Sequence, residues 1–140
     1  MSDLRDTGRL SARGDGRPRR ALVVDADPEQ RTRARVGLKR LGLIVDVAED
    51  GAAALDALER RAYDLLVVEV ALPDMGGPEL VRAARAGGTS SGSKILVQGS
   101  YSLPGDAERA TRSGADAFLG SWTEHDALID AVVALFEASD

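Results

Sequence analysis

The residues of this chain best placed for chemistry gather where short apolar runs end. Asp25 and Asp27 follow Arg20-Ala-Leu-Val-Val, and Glu69 closes Asp64-Leu-Leu-Val-Val-Glu. Gly99 and Ser100 follow Lys94-Ile-Leu-Val-Gln, and Ser121 and Trp122 follow Ala115–Gly120. If Asp25 and Glu69 converge, two carboxylates about 4 Å apart repel by roughly 1 kcal/mol in water and about 4 kcal/mol at an effective dielectric of 20. Such a pair must share a proton, take up a weakly held cation or turn apart. Other chemistry is excluded by composition. The chain has no cysteine and a single histidine, His125, so thiolate nucleophiles, disulfides and Cys- or His-based metal clusters are absent.

The elements that must hold these residues alternate in type. After the first run, Asp27-Pro28-Glu29 supplies a capping carboxylate, a first-turn proline and an acid at the positive end of a helix over about 28–41. Further helices are expected near 51–61, 78–86, 105–112 and 124–138, and strands near 43–48, 64–70, 94–98 and 115–120. The 64–70 run is apolar almost throughout, as a strand covered on both faces should be. Five such repeats predict an α/β fold, a doubly wound five-stranded parallel sheet. Ligand sites in these sheets lie beyond the carboxyl ends of the strands, where the residues above stand.

Bulk properties fit one domain of 140 residues, 44% hydrophobic and 29% charged. The net charge of −5 argues against general nucleic-acid affinity. Residues 1–20 carry six arginines against three aspartates, a net of about +3, leaving roughly −8 for the remainder. With only Leu4 and Leu10 as large apolar groups, residues 1–20 are expected to be a disordered basic tail, with residues 21–140 as the domain. The alternative is a basic arm that meets an acidic partner or folds back. Residues 87–93, Gly-Gly-Thr-Ser-Ser-Gly-Ser, predict a flexible loop. No apolar run is long enough to cross a bilayer and no signal core opens the chain, so no membrane association and a cytoplasmic location are expected.

Residues 20–138 resemble the CheY-like receiver domain of bacterial response regulators. The resemblance rests on Leu22-Val-Val-Asp25, Val47-Ala-Glu-Asp-Gly-Ala-Ala-Ala-Leu55, Leu72-Pro73 with Met75-Gly-Gly77 and Glu79-Leu80, and Gly114-Ala-Asp-Ala-Phe118. It implies the flavodoxin-like (βα)5 fold. It also implies a pocket of two acids, an acceptor aspartate, a hydroxyl and a lysine, in which the acids and acceptor hold magnesium. Here those positions are Asp25, Ala26, Glu69, Gly99 and Ser121, so one of five survives. Asp27 is read as a helix cap and Ser100 as a hydroxyl one residue out of place; both are secondary candidates. Glu69 reads either as an acid retained at a solvated strand end or as a mimic of a phosphorylated aspartate.

Magnesium demands near-octahedral geometry at about 2.0–2.1 Å, and phosphoryl transfer depends on positioning and charge neutralisation. Lys94 starts its strand at the opposite edge, so no fixed cation is expected at the strand ends. The expectation is therefore a stand-alone pseudo-receiver, not an enzyme, with no cofactor and weak or lost magnesium binding. It would bind another signalling protein or a second copy through helix four, strand five and helix five (about 105–138), with Phe118 and Trp122 as switch or contact residues. The alternative is a working receiver phosphorylated at or near Glu69 with unusual ligands.

Overall fold

The computed structural model describes residues 8–99, 103–120 and 125–138. Within them run β1 (Arg20–Val24), α1 (Pro28–Arg40), β2 (Ile44–Ala48), α2 (Gly51–Arg60), β3 (Leu65–Glu69), α3 (Gly77–Arg85), β4 (Lys94–Gln98), α4 (Asp106–Ser113), β5 (Ala117–Leu119) and α5 (His125–Glu137). Asp27 caps α1 as its sequence context predicts, accepting the Glu29 and Gln30 N–H groups with Pro28 in the first turn. The strands pair in parallel in the order β2-β1-β3-β4-β5. Strand order reverses between β1 and β3, the strands that lead into Asp25 and end at Glu69.

Side-chain alternation divides the sheet into two apolar layers. Ala21, Val23, Leu65, Val67 and Leu96 pack with residues of α1 and α5, including Leu38, Leu128 and Val132. Leu22, Val24, Leu66, Val68, Ile95 and Val97 pack with residues of α2, α3 and α4, including Ala54, Leu80 and Ala110. β3 is buried along its whole length. Continuing the alternation puts Asp25, Glu69 and Gln98 on the α1/α5 side, at the carboxyl edge of that layer.

Residues 8–20 follow the fold-back alternative to a disordered tail; residues 1–7 of that expected tail lie outside the described residues. The Gly8 and Leu10 N–H groups donate to the Arg40 and Leu41 carbonyls at 2.7 and 2.8 Å, and Leu10 is only 4% exposed within the α1/α5 layer. An antiparallel bridge joins Ala12 to Pro18, Arg9 pairs with Glu137, and the Arg19 guanidinium lies 4.8 Å from the Phe136 ring centre. One buried leucine and a few directed arginines suffice because Leu10 joins the apolar layer that α1 and α5 form on the sheet.

The 87–93 loop is pinned as well as glycine-rich. Ser90 Oγ accepts the Tyr63 N–H at 3.0 Å, the Ser93 hydroxyl donates to the Tyr63 carbonyl, and Arg85 donates to the Ser91 and Ser93 carbonyls. The same guanidinium reaches Gly114 and Asp116, so one side chain ties α3 to the turn before β5.

Candidate functional site at the carboxyl edge of the sheet

Asp25 extends β1, its N–H donating to the Ala48 carbonyl at 3.1 Å. Its side chain is 2% exposed. Oδ1 accepts the Asp27 N–H at 2.9 Å, while Oδ2 has no hydrogen-bond partner among the described residues. Burial pushes the carboxyl pKa above the ordinary range. The Asp27 N–H pulls it down, the Asp27 carboxylate pushes it up, and Arg31 pulls it down by a smaller amount. Arg31 Nη1 donates to the Asp25 carbonyl at 2.9 Å. A fixed cation therefore stands at this edge, against the expectation of none. It comes from the first turns of α1, where an arginine four residues after the capping Asp27 folds back over the end of β1.

Ala26 is exposed and brings no donor atom. The Asp27 carboxylate is committed to its helix cap. Glu69 is 8% exposed, so it is a buried acid and not one at a solvated strand end. The chain after it is tightly drawn in. Val70 N–H donates to the Gln98 carbonyl at 2.7 Å, and Gly77 N–H donates to the Val70 carbonyl at 2.8 Å. A Cβ on Gly77 would stand 2.5 Å from the Glu69 carbonyl oxygen, so only glycine lets α3 start this close to β3. Asp74, in the same loop, accepts the Gly51 and Ala52 N–H groups at 2.8 and 2.9 Å. These bonds hold its pKa below the usual carboxylate range.

Gln98 is the residue that sequence reasoning missed. It is fully buried beside Glu69 in the β3–β4 register, and neither amide atom has a hydrogen-bond partner among the described residues. The signal was present: a primary amide closes the apolar run Ile-Leu-Val of a strand covered on both faces. Gly99 N–H donates to the Leu119 carbonyl at 2.9 Å, and the residue offers no hydroxyl. Phe118 is half-buried and packs against the α2–α3–α4 layer. Ser100, Ser121 and Trp122 lie outside the described residues.

The donor set is short of what a resident magnesium ion requires. Asp25 already gives one carboxylate oxygen to the Asp27 N–H, Ala26 supplies no oxygen, and Glu69 is longer by one methylene. Among the described residues no three acidic or histidine side chains form a ligand cluster.

The family model of the response regulator receiver domain matches residues 21–133. The chain belongs to this family. The receiver domain is 38% identical over 98 residues to an uncharacterised 14.6 kDa protein of Leptolyngbya boryana, covering 70% of this chain and 75% of that protein. It is 31% identical over 100 residues to the gliding motility regulatory protein of Myxococcus xanthus, covering 71% of this chain but only 13% of that much longer protein. In structure it is similar to a CheY-like receiver domain protein of Methanospirillum hungatei, with a TM-score of 0.77, 25% identity, and coverage of 85% of this chain and 94% of that one. Receiver domains serve two-component signalling. No helix among the described residues is long and apolar enough to cross a membrane.

Proposed function

We propose that this receiver domain is a pseudo-receiver, a cytoplasmic, non-enzymatic module that binds another signalling protein without phosphoryl transfer at Glu69. The observation that carries the reading is a buried Glu69 at the acceptor position, beside an edge where Ala26 brings no second acid and Gly99 no hydroxyl. A phosphoryl group placed there would lack the second acid that Ala26 replaces and the hydroxyl that Gly99 replaces. The α4–β5–α5 face is the surface proposed for the partner. On it, α4 buries only Asp106, Ala110 and Ser113 and leaves its other side chains open to re-packing.

Arg31 favours a second reading, in which Glu69 or a neighbouring group is modified and this guanidinium steadies the charge. The two part on one experiment. Amide NMR spectra of the full chain are recorded with magnesium and beryllofluoride added. Unchanged Asp25, Glu69 and Gly99 resonances support the pseudo-receiver; a saturable shift at all three overturns it.

A further inference from the structure

A cleft of about 410 Å³ lies between α3 and α4, within the roughly 300–1,000 Å³ of small-ligand sites. Val70 and Pro78 give it apolar surface, and Arg82, Arg109 and Arg112 give it three guanidinium groups. Two acids also line it, Glu79 and Asp106. Asp106 is committed: it is 5% exposed and accepts the Leu103 N–H at 2.6 Å and the Arg109 guanidinium. It fixes Arg109 in place more than it competes for a ligand.

Arg112 meets Glu108 at 3.7 Å with both side chains about three-quarters exposed, a pair of little strength. Arg82 stands exposed in the last turn of α3 with no ion pair among the described residues. The cleft thus holds one guanidinium without an ion pair among the described residues, Arg82, one fixed by Asp106 and one weakly held by Glu108, against one uncommitted carboxylate, Glu79. The planar guanidinium fork matches phosphate oxygens two at a time.

We propose that the α3–α4 cleft binds a small organic phosphate, its phosphate on Arg82, Arg109 and Arg112 and its apolar part on Val70 and Pro78. The site is separate from the acidic edge, yet Val70 directly follows Glu69 and accepts the N–H that opens α3.

The test is titration of the full chain with phenyl phosphate and, separately, pyrophosphate, followed by amide NMR at constant ionic strength. Saturable shifts at Val70, Arg82, Arg109 and Ser113 are expected, with phenyl phosphate the tighter of the two. Arg109→Gln and Arg82→Gln should each weaken binding at least about tenfold. Arg82→Gln keeps the test valid if loss of the Asp106–Arg109 contact unfolds the first variant. Linear, non-saturating shifts, shifts confined to Arg13 and Arg17, or equal affinity in Arg82→Gln would each overturn the proposal.

Discussion

Replacing Gln98 by methionine should make this protein more stable. A buried primary amide with no partner carries its desolvation cost uncompensated, about 1–3 kcal/mol. Methionine follows nearly the same path with similar volume and no polar atoms, so packing changes little. Full burial of Gln98 means that the whole penalty is recoverable. The expected gain is about 1–3 kcal/mol, which for a chain of this size raises the thermal midpoint by roughly 3–10 °C. Urea denaturation followed by far-UV circular dichroism measures it, with Gln98→Glu as the opposing control. That variant buries a second carboxyl beside Glu69 and should lose stability. If Gln98→Met is instead less stable than the parent, the amide is satisfied in solution and the reasoning fails.

Asp25 offers a test in pH. A carboxyl whose folded pKa is raised binds more protons folded than unfolded, so stability falls as pH rises from the ordinary aspartate value through the raised one. Above that window the penalty is complete. Asp25→Asn keeps the acceptor for the Asp27 N–H; it should be more stable than the parent at neutral pH and should flatten this slope in urea melts. Parallel pH profiles would contradict the assignment. Gly77→Ala forces a Cβ against the Glu69 carbonyl and should cost about 1–3 kcal/mol, with amide shifts at Glu69 and Val70; a silent substitution would mean that α3 has room to move. Leu10→Ala should cost about 2–5 kcal/mol in the same denaturation assay. A solvated leader would show no more than about 0.5 kcal/mol.

The fold was legible because its signals are local and periodic. The Asp27-Pro28 cap, the unbroken apolar run of β3 and the alternation of strand and helix patterns each point to one answer. Strand boundaries moved by only a residue or two. Composition alone misreads residues 8–20, because it averages over a stretch in which one residue, Leu10, decides the outcome. Its burial is a tertiary contact with the α1/α5 layer that no local pattern announces. Arg31 was invisible for a related reason. In sequence it is one of several arginines on a solvated helix, and only the approach of α1 to the end of β1 turns its guanidinium onto the Asp25 carbonyl. The vacant chemistry at Ala26 and Gly99 could be read directly, since a missing side chain needs no geometry. The burial of Glu69 could not, because exposure at the end of β3 is set by how closely α3 starts.

The claim that Glu69 is not a phosphoryl acceptor is tested most directly by intact-mass spectrometry of the full chain after incubation with acetyl phosphate and magnesium. The mass should remain that of the unmodified polypeptide. A species heavier by one phosphoryl group, lost on Glu69→Gln, would contradict it.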